Sequence, residues 1–75
     1  MSNSSFYKGL VVMWVKQKGW GFIEFTDDDG ETRTIYTHNS QIKGKRLWKG
    51  QYVNFKIGMN EKGPIAVDVE PIFKR

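Results

Sequence analysis

The 75 residues carry 12 Lys and Arg against 8 Asp and Glu, a formal net charge of +4, and no cysteine. That length supports one small domain near the lower limit for an independent core. The missing thiols exclude disulfide frameworks, thiolate metal sites and cysteine nucleophiles, and they fit a reducing, cytoplasmic setting. No apolar run approaches the roughly 18 residues of a membrane span, and Met1 to Ser5 is polar where a signal peptide needs an apolar core.

In chain order, residues 1–5 read as a flexible leader, 6–73 as one domain and 74–75 as its end. Tyr7 to Lys16 contains the β-branched and aromatic run Leu10-Val11-Val12-Met13-Trp14-Val15, a strand in which Gly9 permits a bulge or bend. The turn Lys16-Gln17-Lys18-Gly19 leads into Trp20-Gly21-Phe22-Ile23-Glu24-Phe25, where aromatics alternate with glycines. As a strand, this stretch turns Ile23 and Phe25 to a core and Trp20 and Phe22 to the opposite face. Flat rings in water beside a lysine fit a single-stranded nucleic acid, whose bases stack on rings while lysines meet phosphates.

Thr26 to Thr32 is an acidic hairpin loop with the turn pair Asp29-Gly30; Asp27, Asp28, Asp29 and Glu31 hold half of the 8 acids, so the remaining surface is more basic than the total suggests. The loop lacks the spaced ligands and terminal glutamate of a calcium site, and it reads as a solvated tip that would repel strands approaching from the wrong side. Arg33 to His38 then alternates, with Ile35 and Thr37 inward and Tyr36 and His38 outward beside Trp20 and Phe22. Asn39 to Lys49 is a polar connection carrying Lys43, Lys45, Arg46 and Lys49, held to the domain by Leu47 or Trp48. Trp48 is expected to pin this loop, and Met13 to fill a gap. Val53, Phe55 and Ile57 alternate with Tyr52, Asn54 and Lys56, residues 58–63 form a turn, and Ile65, Val67 and Val69 alternate with Ala66 and Asp68. Five short strands without a helical period predict an all-β, five-stranded antiparallel barrel, whose closure removes exposed edges.

Several of these stretches together resemble the cold-shock domain family. Lys18-Gly19-Trp20-Gly21-Phe22-Ile23 matches its first motif, and Tyr36-Thr37-His38-Asn39-Ser40 matches the second in part. Gly9-Leu10-Val11, Leu47 with Gly50-Gln51-Tyr52-Val53-Asn54-Phe55, and Lys62-Gly63-Pro64 with Val69 extend the likeness over roughly Lys8 to Ile72. The resemblance implies an oligonucleotide-binding (OB-fold) barrel that takes single-stranded RNA or DNA with low sequence selectivity and acts as an RNA chaperone or regulator of transcription or translation. Carried over by position, Trp20, Phe22, Tyr36 and His38 would form the stacking platform and Lys18 a phosphate contact.

The chain departs from the family at Met13, where a tryptophan is usual, at Trp14 in place of a phenylalanine, and at Asn39, where an aromatic precedes the serine. The loop after Ile42 is short and lacks an aromatic often found there, Lys49 replaces a commonly acidic residue, and the acidic loop is longer than in short bacterial forms. These changes trade stacking for charge. A stacked base is worth about 1 to 3 kcal/mol, while about four phosphate contacts at a slope near 0.7 each predict roughly a fifty-fold loss of affinity between 50 and 200 mM salt. The expected result is micromolar binding with a steep salt response.

The expected interface therefore comprises Trp20, Phe22, Tyr36 and His38 for stacking, with Lys16, Lys18, Lys43, Lys45 and Arg46 for charge. Trp14 is open to two readings, base stacking and packing at the barrel rim. The motif also resembles that of the RNA recognition motif fold, but 17 preceding residues cannot supply that fold's first strand and helix. A rival of another class is a protein-interaction module on the same barrel. No metal cluster, carboxylate pair, nucleophile triad or phosphate-cradling loop points to an enzyme, and no cofactor is expected. The expected partner is a single strand, with no membrane and no small-molecule substrate, and the expected state is a monomer.

Overall fold

A computed structural model describes residues 6–72. The expected leader, 1–5, and the terminal residues 73–75 lie outside the described residues. Five strands follow in order: β1 Tyr7–Val15, β2 Trp20–Thr26, β3 Thr32–His38, β4 Tyr52–Asn60 and β5 Gly63–Pro71, with two 3-10 turns, Asn39–Gln41 and Lys43–Lys45, between β3 and β4. They close into a barrel in the order β1-β2-β3-β5-β4. The five-stranded barrel expected from the sequence is therefore present, with one correction. It is not antiparallel throughout: β3 meets β5 in parallel at Tyr36 and Ile65, and Ile42 bridges Val69 in the same sense. The 3-10 connection carries the chain across the barrel end, so β4 and β5 return as a hairpin whose second strand runs alongside β3.

The core is built from alternate residues of every strand. Val11, Ile23, Ile35, Val53, Phe55, Ala66 and Val69 are buried, and Phe25, Ile42 and Leu47 complete the cluster. Tyr7, Phe25 and Phe55 pack as a ring trio, with centroids 5.3 to 5.9 Å apart. Two polar side chains share this interior. The Thr37 hydroxyl donates to the Ala66 carbonyl at 3.3 Å, across the parallel seam. Gln51 Nε2 donates to the carbonyls of Tyr52 (3.1 Å) and Ile72 (2.8 Å), tying the end of β5 to the start of β4. Both are satisfied, as burial of polar groups requires.

Two bulges break the simple alternation, and each redirects side chains. In β1 the register against β2 slips between Val11 and Met13, leaving Val12 as the extra residue. Met13 then pairs with Phe22 on the outer face and Trp14 with Gly21 on the inner one. Met13 is thus exposed and not a gap filler. No bulge falls at Gly9, where the register with both neighbouring strands is continuous; Gly9 lets strands approach, since a Cβ there would run into Ile23 Cγ2 and come within 3.0 Å of the Phe55 ring. In β5 the register against β4 slips opposite Asn54 and Lys56, and Asp68 takes a φ of 51°. Ala66 and Val69 consequently face the core, displacing the expected Ile65 and Val67. Ile57 pairs with Ala66, yet lies far enough along β4 to be exposed. The turn expected over 58–63 shrinks to Glu61 and Lys62, because β4 runs to Asn60 and β5 starts at Gly63.

Asp27 organises the acidic hairpin. Its Oδ1 accepts from the backbone N–H of Asp29 and Glu31, both at 2.9 Å, and its Oδ2 accepts from Arg33 Nε. The hydrogen bond from Arg33, followed by those from the two amides, holds the Asp27 carboxyl below the usual carboxylate range. Asp28 accepts from the Tyr7 hydroxyl at 3.3 Å, and its charge pushes the Tyr7 phenol up. The expectation of a wholly solvated tip is corrected: Asp27 is a structural turn residue.

Candidate nucleic-acid interface

The outer face of β1, β2 and β3 gathers the aromatics. The antiparallel register sets Trp20 opposite His38 and Phe22 opposite Tyr36. Because paired residues share a face, Met13, Phe22, Tyr36 and Ile65 form one row across four strands, and Val15, Trp20 and His38 a second. Three rings sit in mutual contact: Trp20 and Phe22 at 5.9 Å, Trp20 and Tyr36 at 6.0 Å, and Phe22 and Tyr36 at 6.2 Å between centroids. Trp20 and Tyr36 are inclined by 32° while Phe22 stands edge-on to both, at 88° and 72°. Each ring is half-buried, one side held by its neighbours and one open to solvent.

These rings line an open depression of about 590 Å³ whose far wall is the β4–β5 turn, with Asn60, Glu61, Lys62, Pro64 and Ile65. Lys62 is thus a cation at the platform that reading the chain in order did not single out. The turn that presents it is set by Asn60, whose Oδ1 accepts from the Lys62 N–H at 2.8 Å, and by Gly63 at a φ of 129°. Only the parallel β3–β5 contact brings this turn beside Tyr36, a long-range pairing with no local signal.

The remaining expected residues divide. His38 is exposed beside Trp20, but its Nδ1 accepts from the Ser40 N–H at 3.1 Å and caps the first 3-10 turn, with Ser40 Oγ 3.0 Å away. An acceptor Nδ1 puts the ring proton on Nε2, so that edge is the one offered outward. Lys18 is exposed in the β1–β2 turn, two residues before Trp20. Trp14 is not brought to the platform; it packs on the core and lies against Gly21, where a Cβ would be 2.7 Å from its Cε3. Lys16 and Arg46 line a separate groove with Trp14 and Trp48, and Lys43 joins Arg46 and Trp48 on another side of that indole. The backbone of Lys45 closes the second 3-10 turn; its side chain lies outside the described part of the structure. Of the two residues offered as the loop's anchor, Leu47 is buried and Trp48 is 50% exposed, which corrects the expectation that Trp48 pins the loop. The cations therefore flank the platform from an adjoining face more than they ring it.

Among the described residues, no group of three or more His, Cys, Asp or Glu side chains converges on a point that would hold a metal ion. No helix among them is long and apolar enough to cross a membrane.

The family model of the cold-shock DNA-binding domain matches residues 7–72. Among curated proteins, the chain is 43% identical to the cold shock-like protein CspC of Escherichia coli K12 over 68 residues, covering 87% of this chain and 94% of that protein. It is 43% identical to CspC of Buchnera aphidicola over 65 residues, 83% of this chain and 90% of that protein. It is 41% identical to the cold shock-like protein CspB of Yersinia pestis over 72 residues, 92% of this chain and 96% of that protein.

Proposed function

The chain belongs to the cold-shock DNA-binding domain family, nucleic-acid-binding proteins and not enzymes, and on that premise we propose that it binds single-stranded RNA or DNA with low sequence selectivity on the outer face of β1 to β3. It does so as a cytoplasmic monomer that acts as an RNA chaperone or as a regulator of transcription or translation. The observation that carries this reading is the contact triad of Trp20, Phe22 and Tyr36, three half-buried rings held at 5.9 to 6.2 Å from one another.

Sheet pairing fixes the backbone under each ring, so little is left to order when a base arrives. Every base has a π-face, which makes stacking tolerant of sequence. The rings stand at different inclinations, so successive bases have to splay from one another, and a paired duplex cannot present them that way. Lys62 in the depression and Lys18, exposed in the turn two residues before Trp20, meet the backbone between the bases, with His38 Nε2–H as a further donor beside Trp20. A chaperone needs this combination: hold unpaired bases firmly enough to keep hairpins open, then release them.

The test is titration with a short oligothymidine at low and moderate salt. Quenching of tryptophan fluorescence that disappears in Trp20→Phe supports the platform. An unchanged emission with no complex formed would instead fit a face that docks a polypeptide.

A further inference from the structure

Trp48 has no role in the reading above, yet its indole is 50% exposed at the mouth of a groove on the adjoining face. The groove is floored by buried Leu47 and walled by the indoles of Trp14 and Trp48, with Lys16, Arg46 and Lys49 around it and no acidic residue in its lining. Gly19 and Asn39 form its near end, joined by the Asn39 N–H donating to the Gly19 carbonyl at 2.8 Å. Their chain neighbours, Trp20 and His38, are a cross-strand pair on the platform. The near end of the groove therefore lies one residue along the chain from the platform on each of the two strands. The φ of 75° at Gly19, whose missing Cβ leaves room for the Asn39 amide, keeps that junction low.

We propose that this groove is a second nucleotide-binding subsite, in which Trp48 stacks a further base of the same single strand and Lys16, Arg46 and Lys49 meet its phosphates. The inference rests on the platform reading. Charge narrows the occupant: three cations beside two indoles, without a carboxylate among them, suit a polyanion with aromatic bases, whereas a neutral or basic polypeptide surface would leave these charges to be desolvated unpaired. Trp48 directly follows buried Leu47 in the chain, and half of its surface is open to solvent. The strand that leaves the platform at Trp20 and His38 thus continues over Gly19 and Asn39, and the binding site is longer than the aromatic patch alone.

The experiment compares oligothymidines of about four and about ten nucleotides, within the span known for single OB barrels, by fluorescence anisotropy of labelled strands. Trp48→Ala should weaken the longer strand about 5- to 150-fold, one stacked base, and leave the shorter unchanged; Trp48→Phe should restore much of the loss. Being exposed, Trp48 can be truncated without opening the core. If Trp48→Ala binds both lengths like the parent while Trp20→Ala weakens both, the subsite is refuted and the platform stands, leaving Trp48 to a protein partner. Equal weakening of both lengths by Trp48→Ala would also overturn a separate subsite. Failure of the parent to bind either strand would remove the platform reading and this inference together.

Discussion

Replacing Trp20 by alanine separates what the platform contributes to folding from what it contributes to binding. Trp20 touches Phe22 and Tyr36 at 5.9 and 6.0 Å, and aromatic pairs of this kind are worth about 0.5 to 1.5 kcal/mol each beyond burial. Counting these two pairs alone, the fold loses about 1 to 3 kcal/mol. At about 0.05 to 0.15 kcal/mol per residue, a domain of this length holds about 4 to 11 kcal/mol, so even at the unfavourable end roughly 85% of the variant stays folded. That residual unfolding lowers apparent affinity by less than twofold. Loss of a stacked base removes about 1 to 3 kcal/mol of binding, or about 5- to 150-fold. The two effects are thus distinguishable. Anisotropy with a labelled oligothymidine across a salt series should show weaker binding at every salt with an unchanged slope, because no phosphate contact is removed. A dissociation constant within twofold of the parent would refute the assignment of Trp20 to the site.

Lys62→Ala should do the converse, flattening the salt slope by roughly 0.7 while sparing stability, since Lys62 is the cation lining the aromatic depression; the same salt series reads it. Gly21→Ala should destabilise the fold by about 1 to 3 kcal/mol in urea unfolding. Its Cβ would strike the Met13 carbonyl oxygen and lie 2.7 Å from Trp14 Cε3, contacts that the smaller gain of about 0.4 to 1 kcal/mol from a stiffer unfolded chain cannot offset. Asp27 has its folded carboxyl below its ordinary value, so its stabilising effect is fully present above the ordinary carboxylate range and is lost as pH falls through the folded value. Thermal melting of Asp27→Asn and the parent should therefore differ near neutral pH and converge in acid; a constant difference would contradict the hydrogen bonding assigned to that carboxylate.

What the sequence made legible was whatever a period of two controls. The alternation of Ile35 and Thr37 against Tyr36 and His38, and of Ile23 and Phe25 against Trp20 and Phe22, located both the core face and the platform, and the Asp29-Gly30 pair located the hairpin between them. The misreadings of Met13 and of the last strand trace to places where the period slips. Val12 follows a second valine, and nothing local marks it as the bulge that sends Met13 outward and Trp14 inward. Asp68 carries the positive φ that turns Ala66 to the core, although neither residue looks unusual in a strand. Lys62 was invisible as a site residue because its place beside Tyr36 depends on a parallel contact between strands β3 and β5, far apart in the chain. The charges of the 39–49 connection were readable, but not their position: its fold around Ile42 and Leu47 directs Arg46 to the groove beside Trp48 and away from the rings.

The central claim is that unpaired bases lie on the outer face of β1 to β3. A heteronuclear NMR titration with a short oligothymidine tests it residue by residue. The account predicts the largest shifts at the Trp20 indole N–H and at the amides of Phe22, Tyr36 and Lys62, with little change at Lys8, Glu24 and Thr32, which border a different depression. Shifts concentrated on that second group, with the Trp20 indole unmoved at saturation, would contradict it.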